Sequence, residues 1–568
     1  MYSWMPGKAD EFLDWKWSQI EPIFINLQGQ QLDDKNIETW LDEWSEISKI
    51  LDEIHWRLYD GTTVDTGDEA AEERFTRFLD EIRPKAKAAE QRLKEKLLSS
   101  GIHPDGYQVV LRDLQAQSDI FREENQALLS EEKKLVIEYD KIIGAQMVDW
   151  DGEQIPLLQL QPVYEEVDRE RREKAWRLSA TRQLEDRRAL NKLYREFLVL
   201  RQSIAANAGL DNYRAYRWQE LLRFDYSPED SYQFHQAIEN AAVPAAQEIY
   251  DKRRHRLGLD KLRPWDLAVD PEGRPALKPF GTTRELIEKS AKIFSQVEAD
   301  FGKYFQLMYE EKLLDLENRE NKAPGGYCTY YCYSQRPFIF MSAVGIQEDV
   351  QTLLHEGGHA FQNFECGHRP YFFLEIPSEF SEVASMSMEL LSSPYLGKDK
   401  GGFYNPGEAA RARIQHLESM LLFWPYMAVV DAFQHWVYEN QQAAKEAENC
   451  DRCWAQLWER FMPGVDWGGL EQEMMTGWQR KPHIFDEPFY YIEYGMAQLG
   501  SVQIWRNSLE DREQSVAAYR RSVSLGTSVT IPELYEAAGI RFAFDEQSLQ
   551  TAVNTIMETI ADLEMEID

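Results

Sequence analysis

The sequence is poor in basic residues, in cysteine and in long apolar runs. Its 63 Lys and Arg stand against 98 Asp and Glu, a formal net charge of −35 at pH 7. A surface of that sign repels nucleic-acid phosphates and anionic lipid headgroups, so neither is expected as a partner. No run of about 18 apolar residues is present to span a bilayer. The opening stretch, Met1 to Lys16, carries Asp10, Glu11 and Asp14 among its apolar side chains, where a secretory signal would place basic and then apolar residues. Five cysteines, an odd number in 568 residues, build no disulfide framework, and a reducing, cytoplasmic setting is expected. Cys450 and Cys453 form a CxxC pair, but no second pair accompanies it and no βαβ pattern surrounds it, so it is read as structural. Internal repeats and low-complexity tracts are also missing, and nothing in the sequence sets an oligomeric state.

What is present is material for a large core. Hydrophobic residues make up 43% of the chain and aromatics 12%, which separates it from disordered sequences, and the length suits several lobes or one large helical body. Amphipathic helical spacing runs from Lys8 to about Ile143. In Glu69–Ser99, for example, Phe75, Phe78, Leu79, Ile82 and Leu93 recur among charged residues, and Pro84 is expected to kink or divide the stretch. Gly152 and Pro156 break the period between Met147 and Pro162, which reads as a short hairpin or connector. Ser227-Pro228 marks a helix start, 259–278 an irregular loop, and Thr282 or Thr283 another capped start.

Only Tyr327–Tyr333 and Pro337–Met341 are β-prone, short and aromatic, and they predict a small sheet. Helical patterning then resumes at Gln347 and continues to the end. The expected fold is mainly α with a minor β element. The chain divides into an N-terminal helical region, 1–200, and a catalytic helical region, 201–568.

The chemistry centres on His355-Glu356-Gly357-Gly358-His359. On a helix, i, i+4 spacing puts both imidazoles on one face a turn apart, close enough to share a metal ion. Val350, Leu353, Leu354, Phe361 and Phe364 supply the apolar face of that helix, and Glu348 and Asp349 favour its N-terminus. Glu356 is placed to take a proton from water at the open side of the metal. Gly357 and Gly358 cost about 1 kcal/mol each inside a helix, so close packing or free access to the metal is expected there.

A third ligand should be a carboxylate downstream. Glu375 precedes a second predicted helix that has Pro377 in its first turn and Pro394 past its end, and Glu379, Glu382 and Glu389 lie on one face within it. Ser381, Ala384 and Ser385 are small enough to let this helix approach the first. By residue type and placement Glu382 leads, with Glu379 and Glu375 as alternatives. Further on, His483–Tyr494 concentrates one His with Tyr490, Tyr491 and Tyr494; such donors suit the oxyanion formed in peptide hydrolysis, and such clusters equally suit a core. Cys366, His368 and Arg369, between the two helices, are read as structural loop residues.

HEGGHAFQ (355–362) followed by FSEVASMSMELL (380–391) resembles the thimet oligopeptidase and oligoendopeptidase F family of zinc peptidases, most nearly its oligoendopeptidase F branch. The resemblance implies one zinc ion per chain, Glu382 as third ligand, and His483, Tyr490 and Tyr494 as the groups facing substrate. The spacing from His359 to Glu375 is short for that family. It further implies a two-lobed helical shell around a deep channel, and oligopeptide substrates paired along an edge strand beside the zinc. The expected function is hydrolysis of internal bonds in short peptides through a metal-activated water. The alternatives are a carboxypeptidase-type exopeptidase, which needs a basic group for the terminal carboxylate, and a non-catalytic peptide-binding scaffold.

Overall fold

The computed structural model describes residues 4–567. The chain is mainly helical, with the small sheet set directly before the helix of the His-Glu-Gly-Gly-His segment. Local signals set many of the helix ends. Ser227 and Asp230 form a capping box with Pro228 at the first helical position, and the Thr282 hydroxyl accepts the Glu285 N–H at 3.2 Å. Pro84 divides its stretch as expected. It has no N–H for the ladder, and the chain passes from helix Glu69–Arg77 through a wide π turn, Phe78–Ile82, before helix Arg83–Ser100 continues. Met147–Trp150 and Glu153–Pro156 pair as an antiparallel hairpin whose turn residues, Asp151 and Gly152, both have positive φ.

The second sheet has three strands, one more than the sequence suggested. Arg336–Ala343 is central, antiparallel to Gly326–Tyr331 and parallel to Leu314–Glu317. The four-residue strand Leu314–Glu317 is too short and too acidic to stand out in the sequence. The central strand is covered on both faces, which explains its unbroken apolar run: Phe338, Ile339, Phe340 and Met341 are all buried. Among the described residues Gly326–Tyr331 has a strand neighbour on one side only.

The angle between sheet and metal helix is fixed by one carboxylate. Asp349 accepts the N–H groups of Val344, Gly345 and Ile346 at 2.8, 2.7 and 3.0 Å, closing the turn from which helix Gln347–Cys366 starts. Cys366 is the last residue of that helix and not part of the following loop. The glutamate helix runs from Ser378 to Ser392, with Pro377 one residue ahead of its first turn.

Two glycines let the metal helix pack closely against its neighbours, Gly357 against helix Thr283–Val297 and Gly358 against the glutamate helix. A Cβ on Gly357 would fall 2.5 Å from Phe294 Cζ, and one on Gly358 would fall 2.5 Å from Ser385 Cα and 2.7 Å from the Ala384 carbonyl oxygen. On its other side the glutamate helix packs against helix Tyr491–Glu510, where a Cβ on Gly500 would approach Val383 Cγ2 to 2.9 Å. Val383, Ala384 and Met388 are fully buried. Among the described residues no helix is long and apolar enough to cross a membrane.

These contacts give opposite expectations for two Gly→Ala changes. In a helix interior alanine gains about 1 kcal/mol of propensity over glycine. At Gly358 the obstruction is backbone, so Gly358→Ala should lose roughly 1–3 kcal/mol net through overpacking. Gly144, where an added methyl group would meet nothing within 4 Å, should accept Ala without loss. Thermal unfolding of both variants checks this, and a Gly358→Ala protein as stable as the parent would contradict the packing argument.

Candidate metal centre

His355 and His359 stand on one helical face with ring centroids 5.1 Å apart. Glu382 Oε2 lies 3.3 Å from His355 Nε2 and 3.7 Å from His359 Nε2, and one donor atom from each of the three residues falls within 4.8 Å of the others. Two imidazole nitrogens and one carboxylate oxygen, converging on a cavity, make a donor set for a divalent metal with one position left open. The outer atoms are held as well. His355 Nδ1 lies 2.7 Å from Glu389 Oε1, His359 Nδ1 is 3.3 Å from Ser381 Oγ, and the Ser385 hydroxyl donates to Glu382 Oε2 at 3.1 Å.

Burial and charge pull against each other here. Burial disfavours a charged His355, yet its hydrogen bonds to Glu382 and Glu389 prevail and hold its pKa well above the usual imidazole value. His359 is desolvated without enough compensation from Glu382 and falls to about 4. Burial would raise Glu382, but His355 and His359 keep it below the usual carboxylate value. The neighbouring Glu356 is pushed up to about 7 by burial, with repulsion from Glu382 and Glu389 acting against the attraction of His355.

Of the three carboxylates left open by the sequence, only Glu382 reaches both histidines. Glu375 lies before the helix and lines the wall of the cavity. Glu379 turns away: it accepts the Tyr226 hydroxyl at 2.9 Å and lies 3.8 Å from Arg223 Nε. The grouping of Glu379 with Glu382 and Glu389 on one face is corrected accordingly. At about 100° per residue, Glu389 is only about 20° from Glu382 around the helix, whereas Glu379 is about 60° away. Glu389, which the sequence placed on the right face without a role, is the partner of His355.

The cavity at this centre measures about 690 Å³ and is walled by the edge strand Gly326–Tyr330, by Trp56 from the N-terminal helix Ile37–Val64, by Glu356 and by Tyr494. Tyr494 is also shared with a second cavity of about 400 Å³, which His483, Tyr491, Glu389 and His416 line. Tyr494 thus faces the metal-ligand cluster, while His483 lies behind it, with ring centroids 6.1 Å apart. Tyr490 stacks edge-on to Tyr494 at 5.2 Å, hydrogen-bonds to Ser378 of the glutamate helix and lies in the field of Glu382. Tyr491 instead packs under Lys481 Nζ, 3.8 Å from its ring centroid. Burial and nearby carboxylates raise Tyr494 to about 12, and burial with Lys481 lowers His483 to about 4, so the phenol stays protonated and the imidazole neutral near pH 7.

The turn before these tyrosines is held from a distance. Phe489 has φ 67°, its N–H donates to Gln434 Oε1 at 2.6 Å, and its carbonyl accepts from Arg223 Nη2 at 2.6 Å. No local sequence signal could have identified Arg223 or Gln434. Arg369 donates to the Ser524 carbonyl at 2.6 Å, a structural role as expected. Cys450 and Cys453 are buried and free in helix Ala447–Phe461, and among the described residues the His355–His359–Glu382 group alone has metal-ligand geometry.

Residues 163–553 match the family described as Peptidase family M3. Oligopeptidase PepF of Bacillus subtilis (strain 168) is 23% identical over 352 residues, 59% of this chain and 49% of that protein. The chromosomal oligoendopeptidase F of Lactococcus lactis subsp. cremoris is 21% identical over 377 residues, 63% of this chain and 58% of that protein. The chain therefore spans about half the length of the curated relatives it matches. The solved structure of PZ peptidase A with inhibitor 2 superposes with a TM-score of 0.88 at 28% identity, covering 98% of this chain and 100% of that one.

The charge pattern predicts how metal affinity depends on pH. The proton that Glu382 and Glu389 hold on His355 must leave before its nitrogen can bind a divalent metal, so affinity should rise with pH across neutrality, by up to roughly tenfold per unit for each proton displaced. Chelator competition at several pH values checks the slope; a flat profile would contradict it.

Proposed function

The chain belongs to peptidase family M3, and on that premise we propose that it is a zinc-dependent endopeptidase hydrolysing internal bonds of short oligopeptides. The observation that carries the proposal is the convergence of His355, His359 and Glu382 beside Glu356, in a cavity walled by a strand with a free edge. A zinc ion held by these three residues would supply Lewis acidity to a peptide carbonyl and acidify water.

In this reading the chain's own groups do the rest. Substrate main chain pairs with the outer edge of Gly326–Tyr331, a mode that binds varied sequences. Glu356 takes the proton from the attacking water and passes it to the leaving nitrogen as the C–N bond breaks. Tyr494 donates to the carbonyl oxygen as negative charge develops there, and Tyr490 and His483, which pack around Tyr494 outside the cavity lining, are proposed to act through it by orienting its hydroxyl. A reducing, cytoplasmic setting belongs to the same reading and is supported by five free cysteines.

The exopeptidase alternative finds less support. Among the described residues that line the metal cavity none is Lys or Arg, so no fixed cation is offered to a substrate's terminal carboxylate. A non-catalytic scaffold would have no use for a buried carboxyl such as Glu356 next to the ligands.

Internally quenched peptides blocked at both ends should be cleaved, with products that map to internal bonds; if only peptides with a free terminus are cut, the endopeptidase assignment fails. Glu356→Gln should bind zinc normally by metal analysis and lose about 10²–10⁴-fold in kcat. Tyr494→Phe should lower kcat by roughly 10-fold or more with little change in KM, because its hydrogen bond matters most in the transition state. Unchanged kcat would remove Tyr494 from the mechanism.

A further inference from the structure

Behind His355 runs a chain of two more side chains. Glu389 sits seven residues after Glu382, its Oε1 2.7 Å from His355 Nδ1 and its Oε2 2.8 Å from His416 Nε2. An ionised carboxylate only accepts hydrogen bonds, so both imidazoles donate to it. Once His355 gives up the proton that Nε2 shares with Glu382, its remaining proton stays on Nδ1 and Nε2 is the nitrogen left free for a metal.

His416 is not in any segment that resembles a metal motif. It lies on helix Pro406–Glu439, which contributes no ligand, and it lines the second cavity beside Tyr494 and His483. Its bond to Glu389 does something that the His355 bond cannot do alone. The terminal torsion of a glutamate is broad, so a carboxylate held through one oxygen can still swing. Held through both oxygens, between two rings on different helices, its plane is set. Glu389 and His416 are 12% and 11% exposed, so water competes little for either bond.

We propose that His416 is a positioning residue of the metal centre: by gripping Glu389 Oε2 it fixes the carboxylate that orients His355, and so strengthens metal binding. The proposal rests on the metallopeptidase reading above. Outer partners of ligating histidines contribute roughly 10–100-fold to metal affinity in such arrangements.

The test uses the full chain and three variants, His416→Phe, His416→Gln and Glu389→Gln, compared by zinc affinity in chelator competition, by the visible absorption of the Co²⁺-substituted protein, and by kcat and KM. His416→Phe and Glu389→Gln should each lose roughly 10–100-fold in zinc affinity and shift the Co²⁺ bands, with kcat falling and KM held. His416→Gln, whose amide N–H can still donate to Glu389, should recover most of the affinity and the native spectrum. Native zinc affinity and spectrum in His416→Phe would overturn the proposal, and so would a His416→Gln protein no better than His416→Phe, since only the ring's packing would then matter. If His416→Phe does not fold, native affinity in the near-isosteric Glu389→Gln overturns it equally. A parent protein that takes up no zinc would instead bring down the metallopeptidase reading itself.

Discussion

The close approach of the metal helix to the glutamate helix is the constraint on which the site depends. Glu382 can meet His355 and His359 only if the two backbones come nearly into contact, and they do so where Gly358 faces Ala384 and Ser385 with no room for a methyl group. A residue with poor helix propensity therefore stands in the middle of the most chemically specialised helix, and its intrinsic cost of about 1 kcal/mol is small beside losing the third ligand. The same proximity lets Ser381 reach His359, while Ser385, one turn further along the glutamate helix, holds Glu382 from within its own helix.

A second contact carries the geometry out to the aromatic donors. Glu379, on the side of the glutamate helix away from the ligands, shares buried Arg223 with Glu493 of helix Tyr491–Glu510, and Arg223 also holds the carbonyl of Phe489. Two carboxylates on one guanidinium are one negative charge too many for a buried site. The conflict shows in Glu493, which burial and Glu379 push up to about 8. A proton shared in this network would remove the excess charge between the two helices that frame the cavity. Glu379 thus serves the site as a structural anchor, having been a candidate ligand by type alone.

Much of this could be read from the sequence, and the remainder could not for identifiable reasons. The His355–His359 spacing, the small residues at Ser381, Ala384 and Ser385 and the aromatic strand pair carry local signals of periodicity and size, and each appears in the structure where expected. Glu382 could be preferred over Glu379 only weakly, because three residues along a helix leave two side chains about 60° apart and helical wheels blur at that resolution. Glu389 had the right position without a visible role, since its partners His355 and His416 stand on two other helices and reach it only through tertiary packing. Arg223, Gln434 and Trp56 likewise come to the site from distant parts of the chain. The strand Leu314–Glu317 was missed because its Leu-Asp-Leu-Glu alternation is only four residues long and too short to stand out beside the helical pattern before it.

The edge strand shows how an acidic chain uses its charge inside as well as outside. A strand with one unpaired edge invites unwanted pairing unless it is shielded. Here the strand is shielded within a cavity and pinned from behind by carboxylates of the N-terminal helix Ile37–Val64. Asp60 Oδ2 accepts the hydroxyls of Thr329 and Tyr331 at 2.9 and 2.7 Å, and Glu53 accepts both the N–H and the hydroxyl of Ser334 in the turn that follows. Burial raises Asp60 to about 6 against those hydrogen bonds, so its ionised form is held at some cost and in a fixed place. The same helix sends Trp56 into the cavity wall. In the proposed peptidase, then, the main-chain groups offered to substrate are positioned by residues more than 250 places earlier in the chain, and the N-terminal helix is part of the substrate groove and not a cover laid over it.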